Sequence, residues 1–199
     1  APLLTAYYQE LTAVTGRPDL VVGLAVSGRD RALPDAHRVF GPFAGAVPVR
    51  PAGAADAPLT EGEFGGALRR IVAEAEEARV HEDVVPRHAD GLPVTSQFFF
   101  THLDFAALAP RDDGALRVAW EAGDGVFLPP SSATDLFMAV RPDGDGLRVT
   151  VRGSAAAFSP DALDGFVRSV RGRLVRAAGN RRVVVPPPRK RRGAGGAAL

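Results

Sequence analysis

Residues 15–30 read TGRPDLVVGLAVSGRD, and the apolar run LVVGLAV at 20–26 within them decides the fold. The run is too short for an ordinary helix and does not alternate, so it reads as a strand buried on both faces. Upstream, Leu3, Leu4, Tyr7, Tyr8, Leu11 and Val14 recur at helical spacing and Gly16 supplies a stop. Downstream, SGRDRALPDAHRV at 27–39 is punctuated by Gly28 and Pro34 and reads as a loop. FGPFAGAVPVR at 40–50 then returns as a strand, with Val47 and Val49 on one face. Pro48 has no N–H to give a ladder, which assigns this strand to an edge or a bulge.

The same logic carries to the C-terminus. Thr60 and Glu63 form a capping box, followed by a helix to about residue 79 whose buried stripe is Phe64, Leu68, Ile71, Val72 and Ala75. A short irregular helix is expected at 82–89. SQFFFTHLDF at 96–105 reads as a buried strand, with Phe98, Phe99 and Phe100 as core residues. LRVAWEA at 116–122 is a further strand, and 123–134 a loop. DLFMAVR, PDGDG and LRVTVRG make an antiparallel hairpin across 135–153. Ser159 and Pro160 suit the cap and first position of a last helix with Leu163, Phe166, Val167, Val170, Leu174 and Val175 on its apolar face. About six strands and three long helices in mixed order predict an α/β fold, a mixed β-sheet layered with helices. Residues 1–178 form the domain and 179–199, rich in Pro, Arg and Gly, a linker or tail.

The 199 residues suffice for one ordinary domain, and 46% hydrophobic with 24% charged residues is a globular composition. No apolar run approaches the roughly 18–20 residues that span a bilayer, so no transmembrane helix is expected, and no signal-peptide pattern is visible at the start of the sequence. There is no cysteine, which excludes disulfides, thiolate metal sites and a cysteine nucleophile and fits a cytoplasmic protein. Six of the 24 basic residues (Arg181, Arg182, Arg189, Lys190, Arg191, Arg192) and none of the 23 acidic ones lie beyond Ala178. Residues 1–178 therefore carry 18 basic against 23 acidic groups, a net of −5, which argues against nucleic-acid binding by the body. The tail reads as a solvated linker, with electrostatic contact to acidic partners or nucleic acid as the alternative.

Chemistry-bearing motifs are sparse. There is no phosphate loop, no nucleophile elbow and no HExxH, and His81, Glu82 and Asp83 are adjacent instead of sharing a face, so no metal site is expected. His37, His81, His88 and His102 are scattered. Arg87-His88-Ala89-Asp90-Gly91 has one histidine, and one residue between it and the aspartate, so it cannot act as an HHxxxDG acyltransfer motif.

Several consecutive blocks resemble condensation domains of nonribosomal peptide synthetases, members of the chloramphenicol-acetyltransferase-like superfamily. TGRPDLVVGLAVSGRD is similar to that family's TGxxDVVVGxPVxGR, and FGPFAGAVPVR to IGxFVNTLPLR. His81-Glu82-Asp83 occupies the place of the HQD that ends a family helix, LPVTSQFFF at 92–100 resembles NPLFQVMF, and 135–170 resembles the family's closing hairpin and helix. The family's full domain is about twice this length, and its HHxxxDG lies in an N-terminal lobe. The resemblance thus implies a C-terminal lobe, one lobe of the chloramphenicol-acetyltransferase-like fold, across roughly residues 1–178.

That resemblance carries functional expectations. Family members join an acyl group on one carrier protein to an amine on another, each held on a phosphopantetheine arm, in a tunnel between two lobes. It implies no catalytic residue here, an N-terminal lobe carrying HHxxxDG and a peptidyl or acyl carrier protein as partners, and no activity from this chain alone. Gly45, Ala46, Ser96 and Gln97 become tunnel-lining candidates. The family's asparagine in FVNT falls on Gly45, and its proline-phenylalanine after HQD on Val85-Pro86. Arg29 becomes the interlobe residue expected to grip the motif's aspartate, the alternative being a surface pair with Asp30 or Asp35. A segment at about 108–134 is expected to leave this lobe for the other. The second reading is a non-catalytic condensation-like module that binds a carrier protein or synthetase partner.

Overall fold

The computed structural model describes residues 1–28, 38–39, 41, 44–51, 64–82, 84, 96–102, 134–143 and 145–179. Its elements are α1 (Pro2–Thr15), β1 (Val22–Val26), β2 (Gly45–Val49), α2 (Phe64–Val80), β3 (Phe98–His102), β4 (Leu136–Asp143), β5 (Gly146–Gly153) and α3 (Pro160–Gly179). They build one five-stranded sheet in the order β2-β1-β3-β4-β5. The three central strands run parallel and the two outer ones antiparallel to them. The expected mixed α/β sheet is therefore what forms. The expected strand at 116–122, the capping box at Thr60 and Glu63, most of 82–89, and the 108–134 segment apart from Thr134 lie outside the described residues.

Local chemistry explains most boundaries. Gly16 closes α1 in the left-handed region at φ 66, donating its N–H to the Thr12 carbonyl at 3.0 Å. Ser159 caps α3, its Oγ accepting the Ala162 N–H at 3.2 Å, with Pro160 at the first helical position. Pro48 sits on β2, an edge strand, where Val47 and Val49 are buried and Pro48 is exposed. Each of these follows the sequence reading.

The register sorts side chains onto two faces. Val22 and Val26, Val47 and Val49, Phe98 and Phe100, and Leu136, Met138 and Val140 point to one face and are buried. All three helices pack there. Tyr7 of α1 lies against the Phe100 and Phe166 rings, its centroid 6.0 and 5.7 Å from theirs. Leu68 and Ile71 of α2 are buried, and Leu163 of α3 crowds Gly153 of β5. Burying roughly ten large apolar side chains on one sheet face is the main stabilising term.

Two expectations fail on these helices. Val14 is 54% exposed, because no residue of the last turn of α1, 12–15, is buried. Val175 is 60% exposed, because the buried stripe of α3 runs through Phe166, Val170 and Arg173 and leaves Val175 on the far side. Phe99 also departs from its neighbours: alternation turns it to the opposite sheet face, where it is half-buried.

Gly23 explains how Phe99 fits. A Cβ at Gly23 would lie 2.7 Å from Phe99 Cδ2 and 3.1 Å from Ser96 Cβ, closer than packed atoms tolerate. Gly23→Ala is expected to cost about 1–3 kcal/mol through overpacking, read as a lowered denaturant midpoint. Recovery of the midpoint in Gly23→Ala/Phe99→Leu would place the clash at that ring.

Candidate functional site

The sheet face away from the helices is the candidate site. Cross-strand register lines up Pro48, Gly23, Phe99, Phe137 and Arg152 in one row across all five strands. The Phe99 and Phe137 rings stack at 5.6 Å and 17°, and the Arg152 guanidinium lies 5.7 Å from the Phe137 centroid. The neighbouring row, Ala46, Ala25, Thr101, Ala139 and Thr150, carries only small side chains. An aromatic row beside a row of small side chains results, with Phe99, Phe137 and Arg152 half-buried and Thr101 buried at 6% exposure. Arg141 and Arg148 follow at one corner, Arg148 held by Asp143 at 2.9 Å. Among the described residues no helix packs on this face. Stacked rings with a cation over one of them make a surface that grips by area and by cation–π attraction, without proton chemistry.

The four tunnel-lining candidates fall at opposite ends of the sheet. Gly45 and Ala46 open β2 and pair with Val26 and Ala25 at the C-terminal end of β1. Ser96 and Gln97 precede β3 at the N-terminal end. That separates the pairs by about 13 Å along the strands and about 10 Å across them. Ala46 and Ser96 border the open face, whereas Gly45 lies on the helix side of β2 and is exposed. The Gln97 carbonyl accepts the Asp135 and Leu136 N–H groups at 2.8 and 3.1 Å, so its backbone starts β4. The structure brings two candidates to the open face and does not gather all four.

Arg29 lies outside the described residues. Its neighbour Gly28 has φ 64, the left-handed conformation expected of a tight turn leaving β1. His81 is exposed and 3.7 Å from Glu77, His102 is exposed at the end of β3, and His37 and His88 lie outside the described residues. Among the described residues no group of three His, Asp or Glu side chains could hold a metal ion. No helix among them is long and apolar enough to cross a membrane. On the helix side a cavity of about 320 Å³ opens between α1, α2 and the strands, with Leu4, Ile71 and Phe100 at its floor and Glu76, Arg79 and His102 at its rim.

The polar groups that hold this scaffold were not singled out in the sequence. Glu10 and Arg173 form a buried ion pair at 2.8 Å between α1 and α3, and the Ser169 hydroxyl donates to the same carboxylate oxygen. The available signal was a charged residue recurring on an apolar stripe, as Arg173 does at three residues from Val170 and seven from Phe166. The Tyr7 hydroxyl donates to the Leu136 carbonyl at 3.1 Å. The Tyr8 hydroxyl donates to the Val49 carbonyl and accepts the Val22 N–H. Burial pushes both hydroxyls well above the usual tyrosine range, which keeps them protonated as donors. Across the start of β1, Arg50 grips Asp19 through two hydrogen bonds of 2.7 and 2.5 Å. Those bonds hold the Asp19 carboxyl below the usual carboxylate range.

Comparisons with known proteins agree with this geometry. No protein-family model matches the chain. A nonribosomal peptide synthetase, TES, from Alternaria alternata is 26% identical over 164 residues, covering 80% of this chain and 3% of the synthetase. The epimerization domain from the third module of tyrocidine synthetase B superposes with a TM-score of 0.60 at 17% identity, over 90% of this chain and 41% of that one. The first condensation domain of the CDA synthetase gives 0.57 at 18%, over 87% and 38%. The condensation domain that releases chains from the enacyloxin polyketide synthase gives 0.61 at 14%, over 94% and 37%. The chain spans about two fifths of each of these solved chains and a small fraction of the synthetase. The chain is similar to condensation domains and has the fold of one lobe of such domains.

Proposed function

We propose that this chain is the C-terminal lobe of a condensation-type acyltransferase in nonribosomal peptide biosynthesis. It works with an N-terminal lobe carrying HHxxxDG to form amide or ester bonds between substrates held by peptidyl or acyl carrier proteins. The observation that carries this reading is the one-sided sheet of the described residues: three helices cover one face, and an aromatic ridge with no described helix on it occupies the other. A second lobe seated on that ridge would enclose a tunnel into which phosphopantetheine arms could deliver both substrates. The general base comes from the partner lobe. This chain supplies a wall, and Arg29, at the exit of β1 after Gly28, is placed in sequence to grip the motif's aspartate. Excluding water between the lobes strengthens hydrogen bonds to the developing oxyanion, which is what a wall contributes to catalysis.

The second reading is a non-catalytic module that binds a carrier protein or another synthetase part. Gly45 favours it, since the position of the family's asparagine here is exposed and has no side chain to reach a substrate. One experiment separates the two. The purified chain, with carrier-bound acyl donor and aminoacyl acceptor, is expected to form no condensation product by mass spectrometry. Adding the HHxxxDG lobe should produce it. Product from the chain alone would overturn the assignment of the base to the partner, and none from the mixture would favour the non-catalytic module.

A further inference from the structure

Leu24 of β1 is a large apolar residue on an interior strand, yet it stays only half-buried. Its register partners, Val47 and Phe100, are 2% and 4% exposed on the same face of the sheet. The difference is the cavity of about 320 Å³ that opens over Leu24, between α1, α2 and the strands. Val72 and Ala75 of α2 line it and are half-buried too, beside fully buried Ile71. Ala75 stands on the sheet-facing stripe of α2, where a larger side chain would fill the gap. An unfilled apolar cavity forfeits the dispersion contacts its walls could make, and it accepts an apolar guest. The volume lies at the lower end of the roughly 300–1,000 Å³ of small-molecule sites.

The rim adds charge to this apolar floor. Glu76 and Arg79 stand at i and i+3 on α2, and His102 ends β3 on the strand side of the cavity. All three are exposed. Among the described residues, Glu76 and Arg79 form no ion pair or hydrogen bond, with each other or elsewhere, whereas neighbouring Glu77 meets His81 at 3.7 Å. One anion and one cation over an apolar floor select the guest by charge. An apolar acid meets Arg79 but is repelled by Glu76, and an apolar amine meets the reverse. A zwitterion with an apolar side chain satisfies both, since it carries its two charges on one carbon and side chains one helical turn apart can bracket them.

We propose that this cavity binds a free apolar α-amino acid. The side chain of the guest lies against Leu24, Ile71 and Phe100, its ammonium on Glu76 and its carboxylate on Arg79, with His102 as a further donor to the carboxylate. The site is on the helix side of the sheet, so it takes no part in the chemistry placed on the open face, and the proposal does not rest on that reading. A guest wedged between α1, α2 and β3 binds the folded chain alone and therefore raises its melting temperature.

The test uses the full chain, titrated by calorimetry at low salt with L-leucine, leucinamide, 4-methylpentanoate and glycine, and thermal melts run alongside. L-Leucine is expected to bind at about 1 mM or tighter and to raise the melting temperature. Leucinamide lacks the carboxylate, 4-methylpentanoate the ammonium and glycine the side chain, and each should bind about fivefold or more weakly. Arg79→Gln should weaken L-leucine by a similar factor and leave leucinamide unchanged. Glu76→Gln should weaken L-leucine likewise and leave 4-methylpentanoate unchanged or tighter. Ala75→Phe, which fills the cavity and keeps every charge, should abolish binding. Circular dichroism of each variant reports folding, and the two charged positions are exposed. Absence of saturable L-leucine binding below about 10 mM overturns the site. Equal affinity for L-leucine and 4-methylpentanoate overturns the zwitterion as guest, and binding that survives Ala75→Phe overturns the cavity as its place.

Discussion

Arg173→Ala is expected to lower the stability of the chain by about 3–5 kcal/mol, read from the denaturant midpoint. Glu10 and Arg173 are 7% and 8% exposed and separated by 163 residues in sequence, so the pair ties the first helix to the last. Truncating one partner leaves a buried charge without its counter-ion, and that penalty exceeds the net worth of the intact pair. Glu10→Leu/Arg173→Leu removes both charges together and is expected to recover much of the loss. A cost under about 1 kcal/mol for Arg173→Ala would mean the pair behaves as an exposed one and α3 is held by Phe166 and Val170 alone.

Tyr7→Ala is expected to cost about 3–5 kcal/mol, and Tyr7→Phe about 1–2 kcal/mol. The ring is fully buried between Phe100 of the sheet and Phe166 of α3, so truncation opens a cavity at the point where three elements meet. Removing only the hydroxyl leaves the Leu136 carbonyl without that donor. Urea melts of the two variants separate the contributions. Equal losses from both would show that the hydrogen bond, not the ring, joins α1 to β4.

The parts of the fold legible in the sequence are those set by local chemistry. Gly16, Pro48 and Ser159 with Pro160 each mark a boundary because a single residue's backbone geometry or hydrogen-bonding capacity decides it. The apolar run at 20–26 announced an interior strand, and β1 does lie between β2 and β3, but the expected burial of both faces is incomplete: no described helix covers the second face and Val21 is 39% exposed. What escaped depends on which surface another element covers. Val14 and Val175 satisfied helical spacing, yet no described element reaches them. Glu10 and Arg173 drew no notice because they lie 163 residues apart and only the topology brings them together. At the candidate site, alternation along 98–100 was readable, but not which face the helices would leave open, so Phe99 was assigned to the core with its neighbours. Gly45 and Ser96 sat in blocks that resemble the family, and block resemblance carries no information on which end of a strand each one takes.

The central claim is that the open face of the sheet seats a second lobe, and one titration tests it most directly. The full chain is titrated into an N-terminal condensation lobe carrying HHxxxDG, with heat of binding as the readout. A one-to-one complex is expected, and it is lost on Phe99→Asp/Phe137→Asp at the ridge. Arg29→Ala is expected to weaken the complex about a hundredfold or more, as breaking a buried guanidinium–carboxylate pair requires. The absence of any complex, or a complex whose affinity is indifferent to Phe99 and Phe137, would contradict the account.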